Sequence, residues 1–559
     1  MPRAKTAKPK LLDFDMHAVE QMIERIRAQI SPDDLGVICA LVQTVTMLTE
    51  LLRSSKTTIA RMRRLFGLTG SEKLADVLPA PQTPPSNGQG TGAAQPAARP
   101  TPPQTPAARA KVKGHGRVPA SAYSEADHVP VEHSCLHAGD RCPKCHGGNL
   151  CQLQPAVIVR IFGRAPLWAR CWDDARLRCS SCGLVFSAPL PPEARGPKYD
   201  ETAASMMALM RYGCSMPGNR LDHLQASMQS PVPGTTQWQI LNERVELVRP
   251  AYDELKRQAA QGDVLHNDDS YMRILSFMGK RRATLLAAGN LPDPDRTGMY
   301  TTAIVSVVPT IGDIALFFTG RKHAGENLEL LLSLREALRD PPILMSDASS
   351  RNVPDGYDVL EANCIPHGRR QIVDELPNHP AECKYLLERL AVVFHLEKEL
   401  KELGVSGQVR LLAHRYESGP IMDELHSWMT AALKDKRIEP NCGLGKALNY
   451  FLKRWSKFTL FLRVPGAPLD NNTAERALKR AIGLRKGSLF YRTQRGATVG
   501  DIYMTLIYTA ELHHQNPFQY LTELQRNDKA VAERPGDWMP WNYRATLAAR
   551  AGPAVAVAA

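Results

Sequence analysis

The sequence predicts a multidomain α+β protein, and three observations carry that prediction. At 559 residues the chain is too long for one hydrophobic core, so about three or four domains are expected. A Pro-, Ala-, Gln-, Thr- and Gly-rich break over 79–112 separates a helical stretch from everything downstream. From 263 onward, short apolar strand patterns alternate with helical ones.

The N-terminal part, 1–78, reads as helical. One helix spans 14–30 and is stopped by Ser31-Pro32. Ile38, Leu41, Val45, Leu48, Leu52, Ser55, Ile59 and Met62 then alternate steps of three and four, a heptad seam that suits either a coiled-coil dimer or a helix packed on its own chain. The break that follows cannot bury enough apolar surface to fold and is a linker. It runs into Arg109, Lys111, Lys113 and Gly114-His115-Gly116-Arg117, a basic segment that either lies along DNA or is a solvated loop.

Residues 113–200 carry the metal pattern. Cys142-x-x-Cys145 and Cys179-x-x-Cys182 are two knuckles, with Gly147-Gly148 and Gly183 after them to allow sharp turns toward the thiolates. Zn2+ in a zinc ribbon is the reading, with the alternating Val157-Ile158-Val159-Arg160-Ile161 as strand material. Over 201–262, helices at 219–229 and 235–249 flank the turn Ser230-Pro231-Val232-Pro233-Gly234. Two helices on such a turn fit a helix-turn-helix presenting Thr236, Gln237 and Gln239 to bases, and equally an ordinary helical domain.

The segment 263–512 reads as strands near 263–268, 300–308 and 312–319, a helix near 324–338, a strand at 343–347 and another near 359–364. Three strands, a helix and further short strands describe a ribonuclease H-like α/β core, which gathers acids at the centre of its sheet. A helical insertion over about 371–461, seen in Leu386-Leu387-Leu390-Val393-Phe394-Leu396, divides it, and 513–559 follows as a C-terminal tail.

Three acids stand out in that core. Asp268 follows an apolar Val-Leu pair within His266-Asn267-Asp268-Asp269-Ser270, Asp347 ends Ile343-Leu344-Met345-Ser346-Asp347, and Glu475 lies in DNNTAERALKR at 470–480. They are 79 and 128 residues apart, so only the fold can bring them together. Mg2+ (or Mn2+) prefers oxygen ligands and keeps coordination positions open for phosphate, so a few carboxylates suffice for phosphoryl transfer. Two such ions about 3.5–4 Å apart stabilise both the attacking and the leaving oxygen of an in-line displacement. Asp268 is the bridging candidate, with Asp347 and Glu475 on the flanks. Asp269 leaves a one-residue ambiguity, because neighbours on a strand face opposite sides.

These motifs resemble the transposases of the insertion sequence 66 family (the TnpC type). The family's HADET stands here as HNDDS, and its DNNxAERALR as DNNTAERALKR. Cys364-Ile365-Pro366-His367-Gly368-Arg369-Arg370 is similar to its CxxHxRR segment. Arg485-Lys486, Leu489-Phe490 and Arg495-Gly496 match its basic stretch, and Met539-Pro540-Trp541-Asn542-Tyr543 its terminal LLPWN. The second acid departs from the pattern, reading SDASSRN where the family more often has Gly-Tyr after the aspartate. The resemblance covers about 60–545 and implies a DDE transposase: metal-dependent cleavage at transposon ends, then attack of the freed 3′ hydroxyl on target DNA. It implies Asp268, Asp347 and Glu475 as the catalytic acids and Mg2+ ligands, with Asp268 aligned to the aspartate of HADET. His367 and Arg476 would support them, and Arg369, Arg370, Arg480, Arg485 and Lys486 would contact DNA. It also implies zinc at the ribbon, self-association to hold two DNA ends, and accessory transposition proteins.

Composition agrees with a nucleic-acid partner: 70 Lys plus Arg against 57 Asp plus Glu leave +13. The longest apolar run, 303–318, is broken by Pro309, Gly312 and Asp313 and reads as two strands and a turn, so no membrane span is expected. The start MPRAKTAKPK lacks the apolar core of a secretory signal. Together these place the protein in the bacterial cytoplasm and nucleoid, with reduced thiols. The competing readings are a catalytically inactive, transposase-derived zinc-ribbon DNA-binding protein and a ribonuclease H-like nuclease with another substrate.

Overall fold

The computed structural model describes residues 135–141, 143–144, 149, 165–173, 176–178, 185–187, 189, 191–291 and 293–551. The two N-terminal helices, the linker, the basic segment at 109–117 and the four paired cysteines lie outside the described residues. The described residues fall into two units, divided between Pro166 and Leu167.

In the first unit, Arg141 and Asn149 form an antiparallel bridge on either side of 142–148. In the second, β1 (Arg176–Arg178) pairs antiparallel with β2 (Val185–Ser187), Arg178 opposite Val185. Each backbone pairing therefore brackets one Cys-x-x-Cys pair in sequence.

Three helices follow: α1 (Glu201–Ala208), α2 (Gly218–Ser227) and α3 (Gly234–Ala259). α3 runs ten residues past the expected end at 249, straight through Pro250. Proline forfeits one helical hydrogen bond, but Val245, Val248, Ala251, Tyr252, Leu255 and Ala259 are buried along this helix, and packing outweighs local propensity. The helix-turn-helix reading also loses a residue. Gln237 is buried and donates to the Val232 carbonyl at 2.8 Å, so it holds the turn and cannot reach a base.

The sheet has five strands in the order β5-β4-β3-β6-β7. β3 (Val264–Tyr271), β4 (Tyr300–Val308) and β5 (Gly312–Gly320) form an antiparallel meander, and β6 (Ile343–Ser346) and β7 (Leu360–Asn363) add in parallel on the other side of β3. The β4–β5 turn falls at the Pro309 break, with Thr310 and Gly312 at positive φ. β3 is central and covered on both faces. Leu265 packs into one core and Val264 into another, as the two-residue period of a strand requires.

α4 (Gly279–Ala287) links β3 to β4, and α5 (Ala324–Leu332) follows β5 behind a capping box of His323 and Glu326. The insertion comprises α6 (Ile365–Asp374), α7 (Pro380–Leu403), α8 (Gly407–Ala413), α9 (Gly419–Lys434) and α10 (Gly443–Lys453). Its apolar residues Leu386, Leu390, Met422, Leu425, Leu448 and Phe451 share a core with Ile343 and Met345 of β6. Then come α11 (Asn472–Ser488), α12 (Gln494–Leu512) and α13 (Pro517–Arg526). The residues after 512 are well packed: Tyr520, Trp538 and Tyr543 are buried in the core that holds α1 and α3, and Gln525 donates to Ser205 Oγ at 2.8 Å.

α12 seals the outer edge of the sheet. Thr319 N donates to Asp501 (2.7 Å), Phe317 N to Thr505 (3.1 Å) and Ala315 N to Thr509 (3.2 Å), while His513 Nε2 meets the Asp313 carbonyl (3.1 Å). Four helical residues rise about 6 Å and two strand residues about 6.6 Å, so side chains spaced by four match strand groups spaced by two. An edge that could recruit another strand is closed by side chains. Among the described residues no helix is long and apolar enough to cross a membrane.

Candidate active site

Three elements bring the predicted acids to one end of β3. Asp268 lies on the central strand, Asp347 immediately follows β6, and Glu475 is in the first turn of α11. Their charges meet. Burial, then the charge of Asp347, then those of Asp269 and Glu475 push the Asp268 carboxyl up to about 7, against a hydrogen bond from Asp269 N.

Asp269 is differently employed. Its Oδ2 lies 3.1 Å from His323 Nδ1, at the cap of α5, so strand alternation sends neighbouring carboxylates to different partners. Asp347 sits in a tight turn with Ala348 at φ +70°. Its Oδ1 accepts from Ser349 N (3.0 Å) and Asn352 Nδ2 (2.6 Å), and Tyr450 Oη donates to its carbonyl at 3.3 Å.

A buried amide network joins these pieces. Asn471, fully buried, donates from Nδ2 to the Asn267 carbonyl (2.9 Å) and pairs its Oδ1 with His266 Nδ1 (3.2 Å). Asn267 in turn donates to the Asn352 carbonyl (2.7 Å), and Asn352 holds Asp347. With the Asn471 amide nitrogen donating to a backbone carbonyl, its oxygen is the acceptor, so His266 carries its proton on Nδ1. Burial pulls the His266 ring down to about 4, keeping it neutral. One chain of hydrogen bonds thus ties the first strand, the second acid and the helix of the third. At the start of α11, Asp470 Oδ1 accepts from Asn472 N at 3.0 Å, while Asn471 turns inward.

His367 lies in the first turn of α6, with Nε2 3.9 Å from Glu475 Oε1. Cys364, just before α6, accepts a hydrogen bond on its sulfur from Asn471 N at 3.3 Å. Oxygen donors dominate the Asp268 cluster, and the mutual repulsion felt at Asp268 is what a divalent cation relieves, so these residues fit Mg2+.

Residues 313–499 match the model of the family described as Transposase IS66 family. The segment includes Asp347 and Glu475 and begins after Asp268. A protein of Sinorhizobium fredii (strain NBRC 101917 / NGR234), named Uncharacterized protein y4hP, is 31% identical over 459 residues, 76% of this chain and 77% of that protein. The chain belongs to the IS66 family of transposases. A second protein of the same strain, Uncharacterized protein y4jD, is 29% identical over 189 residues, 33% of this chain and 36% of that protein.

In this IS66 family member the basic residues divide by partner. Arg370, Arg476 and Lys486 are exposed. Arg480 is engaged inside the chain, donating to Glu511 Oε1 at 3.1 Å with its guanidinium 4.4 Å from the centre of the Tyr508 ring. Arg485 donates to Ser270 Oγ at 2.8 Å and to the Tyr271 carbonyl, tying α11 to the end of β3. Arg369 is half-buried. The roles of His266, Asn267, Asn352 and Asn471 escaped sequence reasoning. The one available signal was the run of amides around each acid.

Proposed function

We propose that this IS66 transposase is a DDE enzyme that cuts the phosphodiester at its element's DNA ends and joins the freed 3′ hydroxyl to target DNA. The observation that supports the reading best is the placement of Asp268 on β3, Asp347 just after β6 and Glu475 in the first turn of α11, tied by the hydrogen bonds of Asn471 to Asn267, Asn267 to Asn352 and Asn352 to Asp347. Asp268, Asp347 and Glu475 would hold Mg2+ or Mn2+. When bound, the metal supplies charge neutralisation for the attacking and leaving oxygens.

The chain's own residues do the rest. Asn352 and Ser349 fix the Asp347 carboxylate, and Asn471 fixes the start of α11 against β3, so the acids are positioned before DNA arrives. His367 stands beside Glu475 as a supporting group. Arg370, Arg476 and Lys486 are the cations best available to the DNA backbone, whereas Arg480 and Arg485 act first as internal ties. Arg369 flanks the same helix. Zn2+ at Cys142, Cys145, Cys179 and Cys182 would build a DNA-binding ribbon, and self-association would hold two ends together, with accessory transposition proteins as further partners.

The test is strand cleavage and joining on a labelled duplex carrying the element's terminal repeat, with Mg2+, by the full chain and by Asp268→Asn, Asp347→Asn and Glu475→Gln. Metal-dependent joining that vanishes in all three supports the reading. Specific DNA binding without chemistry, unchanged by these substitutions even with the accessory proteins added, would leave a DNA-binding protein in its place.

A further inference from the structure

The donor set beside the carboxylates is of another kind. One ligand atom each from Cys364, His367 and Glu475 lies within 4.8 Å of the other two, a sulfur, an imidazole nitrogen and a carboxylate oxygen. Tetrahedral zinc with bonds of about 2.0–2.3 Å keeps its ligands roughly 3.3–3.8 Å apart. His367 and Glu475 are already 3.9 Å apart, and both side chains are about a third exposed, free to close the remaining gap by small torsional changes. Cys364 and His367 are fixed by a short Cys-x-x-His segment that turns from β7 into α6, and Glu475 by the first turn of α11.

A further observation points to a metal. The Cys364 sulfur accepts the backbone N–H of Asn471 at 3.3 Å, a contact that favours the thiolate. His367 Nδ1 is buried with no hydrogen-bond partner among the described residues, which leaves Nε2, the nitrogen facing Glu475 Oε1, as the one on the metal side.

We propose that Cys364, His367 and Glu475 form a soft-metal site that takes Zn2+ and, by holding Glu475, switches off the carboxylate centre beside it. Binding releases the thiol proton to solvent and leaves a fourth position for water on the open side. Sulfur and imidazole select zinc over Mg2+, whereas the Asp268 cluster offers oxygen alone. Glu475 cannot serve both sites at once, so zinc and the catalytic ions compete through a single side chain. The inhibitory half rests on the DDE reading; zinc binding itself does not.

The experiment counts zinc on the full chain at equilibrium against a chromophoric chelator, for the unmodified protein, Cys364→Ser and His367→Asn. One equivalent more on the unmodified protein than on either variant supports the site, and equal counts overturn it. His367→Asn, on the open side, keeps the comparison valid if Cys364→Ser fails to fold. A second arm titrates Zn2+ into Mg2+-dependent cleavage, each variant scaled to its own zinc-free rate. Losing a ligand should raise the inhibitory concentration about 10- to 100-fold; inhibition at the same concentration in all three proteins would overturn the switch. Absence of cleavage by the unmodified protein under every condition would sink the DDE reading, while the zinc count would still decide the site.

Discussion

Asp268, half-buried on the central strand, and Asp501, buried at the β5 edge of the same sheet, are two aspartates whose burial is the leading cause that pushes each to about 7. Their surroundings differ. Asp501 takes hydrogen bonds from Thr319 N and Thr319 Oγ1 (2.7 and 2.6 Å), and no carboxylate is among the groups that shift it. Asp268 has one local hydrogen bond and faces Asp347, Asp269 and Glu475. A raised carboxyl alone therefore marks either a sealed joint or a working site. The mark of the working site is that further acids add to the shift, with no cation among the groups that set it.

The largest expected difference between the two is in cleavage. On the DDE reading, Asp268→Asn removes a metal ligand and should cost several kcal/mol of transition-state stabilisation, on the order of 10³-fold in rate. Asp501→Asn should leave the rate per folded molecule unchanged, because it lies at the far edge of the sheet. Single-turnover cleavage, normalised to the folded fraction, reads both. A comparable collapse in the two variants would mean that the edge joint and the site are one cooperative unit.

Much of this architecture is legible in the sequence because its signals are local. The strands β3 to β7 stand where apolar runs and the Pro309 break put them, and α5 starts where it is expected. What the sequence hid is non-local. The helix expected to end at 249 instead runs on, because the buried row from Val245 to Ala259 carries α3 through Pro250. Gln237 reads as a base contact until Val232 takes its amide. Nothing near Asn471 marks its partners, because His266, Asn267 and Cys364 are over a hundred residues away. Asp269 and Asp268 are indistinguishable by spacing, and His323, 54 residues on, separates their environments.

A smaller effect sharpens the comparison through stability. Both aspartates have folded values raised above their unfolded ones, so each contributes stability that is fully present below about pH 4 and lost as pH rises toward 7. At pH 8 the metal-free protein bears both penalties. For Asp268, with its partial exposure discounted, this amounts to roughly 1–3 kcal/mol. Mg2+ should restore the Asp268 share and leave that of Asp501 untouched. In thermal melts at pH 8, Mg2+ should raise the Tm of the unmodified protein and of Asp501→Asn, and have little effect on Asp268→Asn. Without metal, Asp268→Asn should melt higher than the unmodified protein at pH 8 and converge with it toward pH 4.

The smallest effect isolates the edge joint itself. Thr509 is fully buried and exchanges two hydrogen bonds with Ala315, accepting from its N at 3.2 Å and donating to its carbonyl at 3.1 Å. Thr509→Val keeps the shape and removes both, leaving a buried N–H and C=O of β5 without that partner. The cost should be about 1–3 kcal/mol, read as a lower midpoint in denaturant with the same slope. Because Thr505 and Asp501 still hold the next two strand amides, the joint should loosen at one rung and the acids of the β3 and β6 site should keep their metal response. If Thr509→Val instead abolished the Mg2+-induced rise in Tm, the sheet would transmit strain from its edge to Asp268, and the two aspartates would belong to a single functional unit.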